Sequence, residues 1–195
     1  MGAIRAAALC LAIAFLIRSS LTPWIIDYDP FMFFAPAVFI ATWFGGWGPG
    51  VDSVLTRLQE EIRTARAEIQ VSPPLAAVWA NPSLLEEILF NLLSNALKFV
   101  APATAPRVEI HSEQVETNIR LWIGDKGIGI DPEHHEKIFE IFERLHKNDD
   151  YPGTGIGLAI VAKGIERMRG RAGVDSNLGE GSRFWLELPA AAADL

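Results

Sequence analysis

The sequence predicts an α+β fold in two layers, a mixed β-sheet with helices on one face, preceded by two transmembrane helices. Three observations support this prediction. Segments with helical spacing of apolar residues are interspersed with short segments in which every second residue is apolar. Glycine-rich and polar turns separate these segments. The first 50 residues differ from the rest because they are nearly uncharged and rich in aromatic side chains.

Composition limits both the size and the class of the protein. The 195 residues are half hydrophobic, which suffices for one sizeable core but not for a second full domain. The few charges before Val51 cancel, so the net charge of −7 belongs to residues 51–195. An acidic domain argues against general nucleic-acid binding. Cys10 is the single cysteine and cannot form an internal disulfide, so we expect a reducing compartment.

The N-terminal segment predicts two membrane helices, at about residues 6–26 and 31–47, within a membrane segment 1–50. The first contains Arg18, whose charge must be tolerated by snorkelling or pairing. The second is uncharged and ends at the turn Gly45–Gly50. Alternatively, Met1–Ser20 is a signal peptide, which would export the following domain away from ATP. If that domain uses ATP, two helices with both chain ends in the cytoplasm are more economical.

The part that follows begins with a predicted linker helix, residues 51–71, whose apolar residues from Val54 to Ile69 recur at steps of three and four. Ser72-Pro73-Pro74 ends it, and Leu75–Trp79 is predicted as a short strand. Asn81 and Pro82 then form an N-cap and a first helical residue, which predicts a helix to about Phe99.

The remaining elements follow from the same two periodicities. They are a hairpin at Arg107–Ile110 and Asn118–Ile123, a helix from Pro132 to about Leu145, a polar loop His146–Pro152, a helix Gly155–Met168, and strands at Ala172–Ser176 and Arg183–Leu188 around the turn Leu178–Gly181.

The helix after Pro82 carries one polar stripe along a strongly apolar body. Glu87, Asn91, Asn95 and Lys98 follow one another at steps of four, four and three residues. Amides and an ammonium on such a helix are costly unless something polar meets them. A helix edge wetted by solvent is the alternative for the stripe taken alone.

Asp125-Lys126-Gly127-Ile128-Gly129-Ile130 stands where the strand Asn118–Ile123 ends. A carboxylate there can accept a hydrogen bond from the exocyclic amine of adenine, whereas the carbonyl oxygen of guanine would be repelled. Glycines at 127 and 129 would let the backbone approach a flat ring closely. Taken alone, this pattern is typical of an ordinary turn.

Gly153-Thr154-Gly155-Ile156-Gly157-Leu158 opens the next helix. Backbone amides at a helix start, unobstructed by side chains, favour phosphate binding. A dinucleotide-binding fingerprint requires an apolar strand just before the glycines, and here the polar loop His146–Pro152 precedes them. A Walker-type loop is excluded as well, because no Gly-Lys-Ser/Thr triplet follows.

In this order, the motifs resemble those of bacterial sensor histidine kinases. Asn91–Phe99 resembles the N box, Asp125–Ile130 the first glycine box, Ile138–Phe142 the F box, and Gly153–Leu158 the second glycine box. Tyr151–Ile160 looks most like phytochrome-type kinases. Residues from Asp29 to Gly50 resemble half of a four-helix kinase membrane domain. The likeness implies the Bergerat ATP-binding fold at residues 72–190, a tail at 191–195, and a place at the bacterial inner membrane with the ATP domain in the cytoplasm.

The resemblance also implies the site residues. Asn95 would bind Mg²⁺ with support from Asn91, Lys98 would contact phosphate, and Asp125 would select adenine. The glycine-box residues would pass under the base or reach the phosphates through their amides, and these are Gly127, Gly129, Gly153, Thr154, Gly155, Gly157 and Leu158. Related ATPases have a glutamate at the position of Asn91, which an amide cannot replace as a base, so we expect slow hydrolysis with Asn91 and Lys98 serving phosphoryl transfer.

The chain departs from the family in one respect, because residues 51–71 contain no phosphoacceptor histidine. We read that segment as a remnant of the dimerising hairpin, and we expect a hairpin in another chain, and a response regulator, as partners; a homodimer is left open. His111, His134, His135 and His146 are predicted to be ordinary solvent-exposed histidines. The alternative function is a non-catalytic, membrane-tethered nucleotide-binding module or a truncated kinase remnant.

Overall fold

The computed structural model describes residues 47–141, 151 and 154–191. The elements in these ranges are α1 (Trp47–Arg57), α2 (Gln59–Ala65), β1 (Glu68–Ser72), α3 (Pro82–Lys98), β2 (Arg107–Val115), β3 (Asn118–Asp125), two 3-10 turns (Pro132–His134 and Lys137–Phe139), α4 (Gly157–Arg167), β4 (Arg171–Asn177) and β5 (Gly181–Pro189). None of the helices in this part of the chain is long and apolar enough to cross a bilayer. The predicted membrane helices lie outside the described residues, except for Trp47, which begins α1.

The strands form one mixed five-stranded sheet in the order β1-β2-β3-β5-β4. β1 runs parallel to β2, and the other neighbours are antiparallel. The hairpin β2–β3 turns at Glu116 and Thr117, and β4–β5 turns at Leu178–Glu180. The predicted mixed sheet, both hairpins and the long helix after Asn81 are therefore confirmed.

The core lies between the sheet and the pair α3 and α4, which pack against each other. Alternate residues of the strands point into this layer, including Ile110, Leu121, Ile123, Leu186 and Leu188, all almost fully buried. The buried face of α3 meets them with Leu85, Ile88, Leu89, Leu92, Leu93 and Ala96. The apolar body of α3 is thereby fixed on the sheet, and its polar stripe is left for other contacts.

The opposite face of the sheet carries charged and aromatic side chains. Glu187 is buried, with 1% of its side chain exposed, and it accepts hydrogen bonds from Arg120 (2.8 Å), Arg171 (2.7 Å) and Asn118 (3.0 Å). Burial alone would raise the pKa of Glu187, but these donors outweigh it and lower the pKa to about 2. This ion cluster joins β3, β4 and β5 on the face away from the helices.

The predicted linker helix, residues 51–71, is wrong from Arg66 onward. The helical segment is broken between Arg57 and Gln59, and α2 ends at Ala65, followed by the cap residue Arg66, whose φ of 53° is left-handed. The Ala67 amide closes the helix end on the Ile62 carbonyl at 2.9 Å. Ile69, predicted on the helix, lies in β1 opposite Val108. The predicted turn at Gly45–Gly50 is also corrected, because residues from Trp47 onward are helical and Pro49 sits in the first turn.

Two further predictions are corrected. Leu75–Trp79 forms no strand, only an isolated antiparallel bridge between Val78 and Ala190. In this bridge the Trp79 amide donates to the Pro189 carbonyl, and the Ala191 amide donates to the Ala77 carbonyl.

The helix predicted at Pro132–Leu145 is replaced by the two 3-10 turns, and beyond Ile141 it lies outside the described residues. Residues 132–137 consist only of proline, glutamate, histidine and lysine, so this half of the predicted helix has no apolar face that would favour a continuous α-helix.

Candidate functional site

Helix α3 positions the amides of the predicted N box. The Asn81 side chain caps it by accepting a hydrogen bond from the Leu84 amide at 3.0 Å, as predicted from Asn81 and Pro82. Asn91, Asn95 and Lys98 are half-buried on the side of α3 away from its core residues. The Asn91 Nδ2 donates to the Glu87 carbonyl at 2.8 Å, which fixes the amide plane.

The Asn91 Oδ1 faces the start of α4. A Cβ built on Gly157 would lie 2.6 Å from this oxygen, so a side chain at 157 would collide with it. Gly157 is the first residue of α4, and Gly155 just before it has a φ of 70°. The N box and the second glycine box, 66 residues apart between Asn91 and Gly157, therefore meet in space.

The amides at the start of α4 are free of a side-chain cap, because the N-cap position is Ile156. Thr154 is exposed, and Leu158 packs against the core. Gly153 lies outside the described residues. The described part of this loop thus has the backbone donors that an anion requires at a helix start.

Asp125 ends β3 as predicted, with its carboxylate largely buried. Its Oδ1 accepts hydrogen bonds from the amides of Gly127 (2.8 Å) and Ser182 (3.3 Å). Burial raises the pKa of Asp125 to about 6, although these two amides and the charge of Lys126 act in the opposite direction. Ser182 was not predicted, because its contact depends on the pairing of β3 with β5, which no local pattern reveals.

The first glycine box is held between α3 and the β4–β5 turn. The Ile128 amide donates to the Phe99 carbonyl at 3.0 Å, and the Ile128 carbonyl accepts from the Gly179 amide at 2.7 Å. Gly129 has a φ of 71° and lies against the Asn177 carbonyl with no room for a Cβ. These close approaches are to protein backbone, which is a different reason for glycine from the predicted approach to a flat ring.

The end of α3 gathers two further residues around Phe99. The Lys98 ammonium lies 4.4 Å from the Phe99 ring centroid, and the Tyr151 ring lies 5.2 Å from it. The Tyr151 hydroxyl donates to the Val100 carbonyl at 3.0 Å. Tyr151 was absent from the predicted site residues, although it stands in the motif segment that resembles phytochrome-type kinases.

Helix α3 thus connects both glycine boxes. Its C-terminal end, at Phe99, contacts the first box, and Asn91, eight residues earlier, contacts the second. Asn95 lies between these two positions on the same stripe. The three predicted motif segments therefore contact one another through Asn91 and Phe99, and the roles of their residues toward a nucleotide stay a prediction.

The residues present fit a magnesium nucleotide. Mg²⁺ prefers oxygen ligands and keeps several waters, so one or two amide oxygens plus phosphate suffice. The Asn91 amide is oriented with its oxygen toward the start of α4, where phosphate would lie. Within the described residues no group of three or more His, Cys, Asp or Glu could hold a metal.

The described histidines differ in environment. His111 is exposed on β2 and stacks on Trp122 at 6.4 Å, as expected of a surface histidine. His134 and His135 are half-buried instead, which corrects the expectation of solvent exposure. The Nδ1 of His134 and the Nε2 of His135 are buried without a partner among the described residues. His146 lies outside those residues.

Comparisons with known proteins show the family of the chain. Residues 80–192 match a family described as histidine kinase-, DNA gyrase B-, and HSP90-like ATPase. The chain is 41% identical to cyanobacterial phytochrome A of Nostoc sp. over 144 residues, which are 74% of this chain and 19% of that protein. It spans about a fifth of the length of that relative.

Two solved structures resemble the described fold. The mycobacterial sensor histidine kinase MprB has a TM-score of 0.63 and 29% identity, covering 72% of this chain and 92% of that one. Full-length ShkA in complex with AMPPNP has a TM-score of 0.63 and 32% identity, covering 75% of this chain and 30% of that one. The chain therefore belongs to the family of histidine kinase-, DNA gyrase B- and HSP90-like ATPases, and it contains the ATPase catalytic domain found in histidine kinases.

Proposed function

We propose that the domain binds Mg²⁺·ATP and transfers the γ-phosphoryl group to a histidine on another chain, as part of a membrane sensor histidine kinase of the phytochrome-type subgroup. The observation that carries this proposal is the contact of α3 with both glycine boxes, through Phe99 and Asn91. A complex of full-length ShkA with AMPPNP supports nucleotide binding in a related fold.

In this proposal the base lies at the Asp125 end of α3 and the phosphates lie at the start of α4. Asp125 accepts from the adenine amine, and Gly127 and Gly129 shape the loop around it. Asn95 and Asn91 supply oxygens to Mg²⁺, and Lys98 contacts phosphate. The phosphates are held by backbone amides of the second glycine box, with members Gly153, Thr154, Gly155, Gly157 and Leu158.

The proposed preference for phosphoryl transfer over hydrolysis follows from the inability of Asn91 to act as a base. A neutral amide cannot accept a proton from water, so ATP is held without rapid hydrolysis. Positioning and electrostatics then favour transfer to a nucleophile that is brought in line with the γ-phosphorus. The phosphoacceptor hairpin and the response regulator are separate partners, and attachment to the inner membrane through residues 6–26 and 31–46 belongs to the same proposal.

Mixing the chain with a separate dimerisation hairpin and γ-labelled ATP tests this function. We expect acid-labile label on the hairpin histidine and ATP hydrolysis far slower than that of dedicated ATPases. Asn95→Ala should abolish the labelling. Nucleotide binding without labelling of any hairpin would instead favour the non-catalytic module, and steady, fast hydrolysis would contradict the role assigned to Asn91.

A further inference from the structure

Helix α1 brings a cation to the N-terminal end of the polar stripe on α3. The Arg57 guanidinium lies 3.7 Å from the centroid of the Phe90 ring and 3.7 Å from the Glu87 carboxylate. Phe90 and Glu87 flank the candidate magnesium ligand Asn91, whose amide donates to the Glu87 carbonyl. The helix approaches this closely because Gly50, on α1, packs against Leu89.

Arg57 would lie at one particular end of a nucleotide bound along α3. The adenine-selecting box contacts Phe99 at one end of α3, and the phosphate-binding start of α4 contacts Asn91. A nucleotide that continues along α3 in this direction would have its terminal phosphate on the Glu87 side of Asn91. Four residues of helix separate the two, or about 6 Å along the axis, which an arginine side chain can reach across.

The ion pair between Arg57 and Glu87 is easily exchanged for another contact. Half of each side chain is exposed, at 47% for both Arg57 and Glu87, and their 3.7 Å separation is longer than a hydrogen bond. Such a pair contributes little to stability. A phosphate group offers arginine a paired, charge-assisted contact that this geometry does not provide.

Glu87 gives the exchange a second consequence. Its carboxylate would repel a terminal phosphate that lies one turn away, and Arg57 offsets that charge. A nucleoside diphosphate lacks the terminal group, so it would gain much less from the arginine. The arrangement would therefore separate ATP from ADP by charge at the Glu87 end of the stripe.

We propose that Arg57 is a phosphate-binding residue that leaves Glu87 to bind the terminal phosphate of a nucleoside triphosphate, so that α1 contributes to the nucleotide site on α3. This inference rests on the proposed nucleotide-binding function and deepens it. It assigns to α1 a part in distinguishing ATP from ADP in addition to connecting the domain to what precedes it.

The test compares Mg²⁺·AMPPNP and Mg²⁺·ADP binding to the 195-residue chain and its variants by calorimetry. Arg57→Gln should weaken AMPPNP binding about tenfold and ADP binding less than twofold. Arg57→Lys, which keeps the charge without the paired donors, should fall between. Arg63→Gln is the matched control, because Arg63 also pairs with a glutamate on an exposed helix, and it should change neither affinity.

Glu87→Gln is the complementary variant, since it removes both the competing partner and the repulsion. It should tighten AMPPNP binding about twofold to threefold and leave ADP binding unchanged. Equal weakening of both nucleotides by Arg57→Gln would overturn the proposal in favour of a packing role for α1, and so would no change in either. If the parent chain binds neither nucleotide, the proposed function itself fails.

Discussion

At the residue scale, Asp125 combines a proposed recognition role with a cost to stability. Its carboxylate is buried at the end of β3, and burial raises its pKa to about 6 even though two backbone amides donate to it. A carboxyl with a raised pKa binds its proton more tightly in the folded chain than in the unfolded chain. Its contribution to stability is therefore fully present below the unfolded pKa of about 4 and is lost as pH rises through about 6.

Asp125→Asn should remove this pH dependence. We expect the variant to be more stable than the parent by about 1–2 kcal/mol at pH 8 and equal to it below pH 4, because the amide oxygen keeps both hydrogen bonds without the buried charge. Urea unfolding at several pH values measures the difference. A stability difference that does not vary with pH would contradict the assigned pKa.

The same variant should lose adenine recognition. An asparagine oxygen is a weaker acceptor than a carboxylate, so we expect AMPPNP and ADP affinities to fall together by about tenfold. A substitution that stabilises the fold and at the same time weakens ligand binding is typical of residues in functional sites.

At the element scale, the close approach of α3 and α4 shapes the end of the site that is proposed to hold phosphate. Gly157→Ala would place a methyl group 2.6 Å from the Asn91 Oδ1, so either the amide or the start of α4 must move. We expect Mg²⁺·AMPPNP affinity to fall about tenfold or more, with a stability loss of about 1–3 kcal/mol.

Gly48→Ala is the matched control for this substitution. Gly48 is also helical, and nothing lies within 4 Å of a Cβ built there. Alanine at 48 should leave nucleotide binding unchanged and stabilise α1 by up to about 1 kcal/mol. Unaltered AMPPNP binding by Gly157→Ala would argue that Asn91 and α4 do not act on one ligand.

Elements with local signals were predictable from the sequence. Asn81 and Pro82 mark the start of α3, and alternation with a short turn marks the β2–β3 hairpin. β1 was missed because its parallel partner β2 lies about 40 residues later, so nothing near Ile69 distinguishes a strand from the end of a helix. An α-helix was predicted after Asp131 in place of the 3-10 turns, because the residues there are polar and their spacing does not show which of them are buried.

The residues of the candidate site likewise divide into those that a local motif predicts and those that only the fold reveals. Asn91, Asp125 and Gly157 were identifiable from motif order, because their chemistry depends on residue type and spacing. Ser182 and Arg57 reach the same region through strand pairing and helix packing, which are contacts between distant segments. Such partners follow only from the fold.

At the scale of the whole molecule, α1 belongs to the domain core and is not a free tether. Trp47, Val51, Val54 and Leu58 are buried in the same hydrophobic cluster as Leu85 and Leu89 of α3. The compact unit accordingly begins at Gly46, well before the matched family region at residue 80. A movement of α1 would thus displace residues of α3, which carries the N-box amides.

The most direct test of the account is Mg²⁺-dependent binding of AMPPNP to the chain, with Asn95→Ala and Asp125→Asn measured beside it. We predict binding that weakens when Mg²⁺ is removed, loss of the Mg²⁺ effect in Asn95→Ala, and uniformly weaker binding with the Mg²⁺ effect retained in Asp125→Asn. Binding that ignores Mg²⁺ and both substitutions would contradict a single nucleotide site on α3.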